Sequence, residues 1–167
     1  MAKAAHYIPD RAHAVTPYLV VRDGQGAIAW YRKVFGAEVE SVMDGPDGAV
    51  MHAELRLGPA QIYLAQEFPG AASEAGFLAP KTLGGTTATI HLYVRDIDAV
   101  HARAIENGAR ELRAPTNEFW GDRHSSIIDP EGHRWGIATH VEDLTEEELE
   151  ARARQAAEEF AAGQEGG

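Results

Sequence analysis

An internal repeat constrains this chain more than any other feature. The segment TPYLVVRD (Thr16 to Asp23) returns 73 residues later as TIHLYVRD (Thr89 to Asp96). A duplication within 167 residues means that one supersecondary unit is used twice, and each copy must bury a face against something. Each copy opens with a short strand and continues into a helix. Asp23 is placed to cap a helix whose Ile28, Tyr31 and Phe35 share one stripe, stopped at Gly36. Asp96 is placed to cap the equivalent helix with Ile97, Val100 and Ala104, stopped by Asn107-Gly108. Three strand-like segments follow each helix: Glu38 to Met43, Ala49 to Leu57 and Ala60 to Gln66, then Arg110 to Pro115, Arg123 to Ile128 and Arg134 to His140. The expected fold is α+β: two tandem βαβββ modules.

The predicted boundaries follow from composition. Residues 1–141 form one domain, with module 1 at about 12–68, a connecting loop rich in Ala, Gly and Pro at 69–85, and module 2 at about 86–141. Residues 142–167 are an acidic helix and tail, in which Thr145 and Glu148 fit a capping box and Leu149, Ala153, Ala156 and Phe160 make a thin stripe. This tail holds nine acidic and two basic residues, a balance of −7 out of the net −11, so residues 1–141 carry only −4. An acidic chain without a basic face argues against nucleic-acid binding. No apolar run approaches a membrane span, and MAKAAHYIPDRAH lacks the apolar centre of a signal peptide, so a cytoplasmic protein with no membrane partner is expected. With no cysteine, disulfides and thiolate ligands are excluded, and the available chemistry is that of His, carboxylate and hydroxyl groups.

The paired units, together with LVVRD, AIAWYRKVFGAE, MHAELRLG and FWGDRHSSIIDPEGHRWGIATHVEDL, resemble the vicinal oxygen chelate superfamily. Within it the chain looks most like the PhnB-like branch of the glyoxalase and bleomycin-resistance proteins. The resemblance runs from about His13 to about Asp143. It implies that the modules form a curved mixed sheet around a cavity with helices on the outer face, a homodimer, and a fold that hosts lyases, epimerases, dioxygenases, thiol transferases and inert drug-binding proteins. In metal-using relatives each module supplies one ligand from its first strand and one from its last, as His or Glu. Carried over, those positions are Thr16, Tyr63, Thr89 and Gly136. None is His or Glu. Two hydroxyls, a phenol and a glycine are a poor set for a divalent ion, so no metal cofactor is expected there.

Strand alternation suggests what lines the cavity instead. Met51, Ala53, Leu55 and Leu57 make the apolar set of one strand, leaving His52, Glu54 and Arg56 on the other face. By the same parity the concave face gains Thr16, Tyr18, Gln61, Tyr63, Thr89, His91, Tyr93, Ser125, Ala138 and His140. Phe119 and Trp120 resemble the aromatic residues that drug-binding relatives place at the cavity mouth. Such a lining suits an organic ligand held by stacking and a few polar contacts. The bland alternatives are a charge ladder for His52, Glu54 and Arg56, core closure for the tyrosines, hairpin packing for Trp120, and loop-holding contacts for Asp122 and Arg123. His124 and His133 flank turns and receive no role.

Three functions remain open at this point. The first is a metal-free protein that binds a small molecule, an antibiotic or metabolite. The second is a metal-dependent glyoxalase-like lyase or isomerase using zinc, nickel or manganese at a relocated site of His52, Glu54 and His91, with Glu54 as base. The third is a regulatory protein acting through its acidic tail.

Overall fold

The computed structural model describes residues 6–9, 12–68 and 77–164. Part of the expected connecting loop, 69–76, and the final residues 165–167 lie outside the described set. Module 1 contains β1 (Tyr18–Val21), α1 (Gly24–Phe35), β2 (Glu38–Asp44), β3 (Val50–Leu57) and β4 (Ala60–Gln66). A single helical turn, α2 (Pro80–Leu83), follows within the stretch expected to be loop; Pro80 stands in its first turn and Gly84 ends it at φ 81°. Module 2 contains β5 (Thr89–Tyr93), α3 (Ile97–Glu106), β6 (Arg110–Asn117), β7 (Asp122–Ile128) and β8 (Arg134–His140), and the acidic helix α4 spans Glu146–Gln164.

The strand orders β1-β4-β3-β2 and β5-β8-β7-β6 are the same in both modules. Their registers repeat as well. Tyr18 pairs with Tyr63, and the residues 73 positions on, His91 and Gly136, pair in the same way. The caps form as their residues dictate: Asp23 accepts from the Gly26 N–H at 2.9 Å, Asp96 accepts from the Ala99 N–H at 3.0 Å, and Thr145 and Glu148 close a reciprocal capping box. One repeat-related pair differs. Thr89 opens β5, but Thr16 lies two residues before β1, because Pro17 has no N–H to start the ladder there.

As expected of tandem βαβββ modules, the strands form mixed four-stranded sheets, one per module, and the two do not close on each other. The reason lies at the free edge of β1. The Val20 carbonyl accepts from His133 Nε2 at 3.0 Å, and the Arg22 N–H donates to Glu131, so the β7–β8 turn covers a position that another strand would need. The modules instead share one core beneath their helices. Tyr31 and Phe35 of α1 pack against Trp135 of β8, with ring centroids 5.6 and 4.7 Å away. Trp30 Nε1 donates to the Asn107 carbonyl, and the Arg103 guanidinium donates to the Val34 carbonyl, tying α1 to α3. Trp135, Tyr31, Leu55, Leu64, Ile127 and Ile137 are fully buried, each contributing about 1.5–3 kcal/mol.

Candidate functional site

In β3 the alternation holds as read: Ala53, Leu55 and Leu57 are buried, and His52, Glu54 and Arg56 are half-buried on the opposite face. Met51, expected among the apolar set, is exposed, and Val50 takes the buried place. A register shift where β2 meets Val50 accounts for the change. On the open face of the first sheet, the Tyr18 hydroxyl lies 2.8 Å from His52 Nδ1, and His52 Nε2 lies 3.5 Å from Glu54. Tyr63 stands edge-on to Tyr18 and to His52. Phe77 completes the group, 5.6 Å from Tyr18. Arg56 belongs to a cross-strand ladder, paired with Glu38 and Glu40 on β2, and Glu40 also accepts from Gln61. That is the charge-ladder reading for Arg56, whereas Tyr18, Tyr63 and His52 form an aromatic group with open faces.

The second sheet carries a different cluster. His91 and Tyr93 of β5 stand beside Gly136 and Ala138 of β8, with Ser126 and His124 of β7 next in line. His91 and His124 lie nearly parallel, 6° apart with centroids separated by 5.6 Å. At the end of the cluster Asp122, buried, accepts from Tyr93 Oη at 2.8 Å and Trp120 Nε1 at 3.2 Å and pairs with His140 Nδ1 at 2.7 Å. Burial alone would raise the Asp122 carboxyl, but the bonds from His140, Tyr93 and Trp120 outweigh it and hold the group below the usual carboxylate range. Trp120 packs edge-on against Phe119 and is 38% exposed. Its indole N–H is spent on Asp122, so the free ring face is what it offers a ligand.

Two readings need correction. Ser125, expected on the open face, pairs with Ile137, is fully buried, and points to the core with Ile127. The parity of β7 is set by its pairing with β8, which puts Asp122, His124 and Ser126 on the open face instead. Thr16, Tyr63, Thr89 and Gly136 were expected around one cavity. In one chain they divide between the two sheets: Tyr63 sits among Tyr18 and His52, Gly136 among His91 and His124, while Thr89 pairs with Arg134 and Thr16 reaches only the His13 carbonyl. His124 and Asp122 were missed as site residues. The alternation of DRHSS carries the signal for both, with Ile127 marking the core face.

A model of the glyoxalase/bleomycin resistance protein/dioxygenase superfamily matches residues 11–137. The chain belongs to that superfamily. An uncharacterized protein of Mycobacterium bovis is 38% identical over 138 residues, covering 83% of this chain and 90% of the relative. In fold the chain is similar to the PhnB protein of Bacillus cereus (14% identity, TM-score 0.59, 76% of this chain and 99% of that one). It is also similar to the fosfomycin resistance protein FosX of Listeria monocytogenes (14% identity, TM-score 0.56, 83% and 98%). PhnB is thus one of several structural neighbours within the superfamily.

Against the superfamily's metal pattern, the residues at the four ligand positions do not fit a divalent ion. At Gly136 a side chain would have to displace imidazoles: a Cβ there would lie 2.9 Å from His124 Nε2 and 3.2 Å from His91 Nδ1. The relocated set also does not converge in one chain. His52 and Glu54 are on β3 and His91 is on β5, and among the described residues no three His, Asp or Glu side chains are grouped to hold an ion. No described helix is long and apolar enough to cross a membrane.

Two imidazoles of this superfamily member, His140 and His124, should titrate in a fixed order. Hydrogen bonds to Asp122 and Asp143 raise His140, whereas burial and the neighbouring His91 lower His124. His140 therefore adds stability that is full below about pH 6.5 and is lost as pH rises through its raised value. The sign is opposite for His124: its neutral form is the folded one, and stability falls as pH drops below about 6.5 towards its lowered value. An NMR titration of the ring protons should show His140 titrating at higher pH than His124. The reverse order would mean that the Asp122 network is not formed in solution.

Proposed function

We propose that this protein binds a small planar organic molecule without a metal ion, as a PhnB-like member of the superfamily acting in the cytoplasm. The observation that carries the reading is the residue set Thr16, Tyr63, Thr89 and Gly136, which has no His or carboxylate where metal-using relatives carry their ligands. Open aromatic faces support it: Tyr18 with Tyr63 on one sheet, and Trp120 with Tyr93 on the other. The likeness to a fosfomycin resistance protein favours an antibiotic or related metabolite as ligand.

Each chain presents these aromatic groups on separate sheets, so we further propose a homodimer in which a second copy helps to enclose each group. Sedimentation over a wide concentration range should give twice the chain mass. A persistent monomer would remove the second copy from the account. The metal-dependent alternative would also need two chains, since His91 does not join His52 and Glu54 within one. The acidic helix α4 is tied to the segment before it by the Arg152 guanidinium, which donates to both carboxylate oxygens of Glu142. The binding reading is tested by isolating the protein and identifying what it carries, as set out below.

A further inference from the structure

A cavity of about 700 Å³ lies along the free edge of β1, lined by Pro17 to Val20, by the segment around α2, and by Ile90 and Arg134 of the second module. That volume is in the range of small-ligand pockets, roughly 300–1,000 Å³. β1 is an end strand, bonded only to β4. Backbone groups of successive strand residues point to opposite sides. The Pro17 and Val21 carbonyls accept from the Tyr63 and Glu67 N–H groups, so Tyr18 and Val20 direct their N–H and C=O groups away from β4. The Val20 carbonyl, taken by His133 Nε2, and the Arg22 N–H, taken by Glu131, mark that outer side. Left without a partner among the described residues are the Tyr18 N–H, the Tyr18 carbonyl and the Val20 N–H. Donor, acceptor and donor at strand spacing are what an extended peptide pairs with.

The three groups also fix length and direction. A chain laid parallel to β1 meets them with its first carbonyl, its third N–H and its third carbonyl. It cannot pair further, because the next bond would need the Val20 carbonyl that His133 holds. A chain that ends there places its terminal carboxylate at the Val20 N–H. Charge agrees with that direction. Arg134, next to His133 and in the cavity lining, is exposed and has no acidic partner among the described residues. Glu131 and Asp129, the carboxylates of the same turn, are buried and engaged, by the Arg22 N–H and by Tyr31 and Trp135. Leu78, Leu83 and Ile90 give the cavity apolar walls suited to an aliphatic side chain. We infer that the cavity beside β1 is a second ligand site, for a free peptide of about three residues held parallel to β1 with its carboxylate at Val20 and Arg134. The site lies at the edge of the first sheet rather than on its open face, and it stands independently of the small-molecule reading above.

The probes are Ala-Leu-Ala, its carboxyl-terminal amide, and a form N-methylated at the third residue, titrated into the full chain by calorimetry with ¹⁵N detection of the backbone amides. The free tripeptide should bind and shift the Tyr18 and Val20 amides. Both modified peptides should bind at least tenfold more weakly, the first for want of the carboxylate and the second for want of the N–H that reaches the Tyr18 carbonyl. Arg134→Gln, a change at an exposed position, should weaken the free tripeptide at least tenfold and leave the amide form unchanged. Equal affinity for the three peptides, unmoved Tyr18 and Val20 amides, or no binding at millimolar concentration would each overturn the site. Slow hydrogen exchange of those two amides in the free protein would overturn it too, since a second copy would then already hold the edge. Tighter binding of an N-terminally extended peptide would overturn the assignment to a free peptide in favour of a protein tail.

Discussion

Asp129→Ala is expected to destabilise the fold by about 3–5 kcal/mol, the loss typical of breaking a buried charged hydrogen-bond network. Asp129 is buried in the β7–β8 turn and accepts four bonds: from Tyr31 Oη at 2.7 Å, from Trp135 Nε1 at 2.8 Å, and from the Glu131 and His133 backbone N–H groups at 2.9 Å each. Two of those donors hold the turn. The other two come from the aromatic residues that join the modules, so removal strands two buried donors in the shared core. The Tyr31 hydroxyl, driven well above its ordinary value by burial and by Asp129, stays protonated and keeps donating. Urea unfolding should show a lower midpoint with a similar slope, and Asp129→Asn should recover part of the loss because its amide oxygen still accepts. A loss below about 1 kcal/mol would mean that the turn is held mainly by its glycine and proline.

Trp120→Ala is the second large effect, on binding rather than folding. The indole is anchored through its N–H to Asp122 and shows an open face beside His124. If it stacks on a planar ligand as buried aromatic contacts do, its removal should weaken binding by about 1–3 kcal/mol. Gly121, at φ 91°, makes the anchoring possible: its carbonyl accepts from the Val141 and Glu142 N–H groups, and a Cβ there would strike the Glu142 carbonyl at 2.3 Å. Calorimetry of wild type and variant with the same aromatic probe decides the point. Lost stability with unchanged affinity would make Trp120 a packing element of the β6–β7 turn.

The repeat made the architecture legible before any coordinates, because the 73-residue offset carries over into strand order and into the Tyr18–Tyr63 and His91–Gly136 pairings. Helix caps were legible for a local reason: Asp23, Asp96 and Thr145 each act within three residues. Non-local features were harder. Asp122 collects partners 29 and 18 residues away, and nothing in its neighbourhood announces that. Ser125 is hard to place from sequence because a polar residue in the core breaks the apolar alternation that reveals parity. The covering of the β1 edge by His133 is likewise a contact across 113 residues.

Native mass spectrometry of protein purified without chelator, affinity metal or denaturant tests the central claim most directly. The account predicts a population carrying an organic adduct of small mass and no stoichiometric zinc, nickel or manganese. A uniform one-to-one metal adduct that persists through dialysis, with no organic molecule bound, would contradict it.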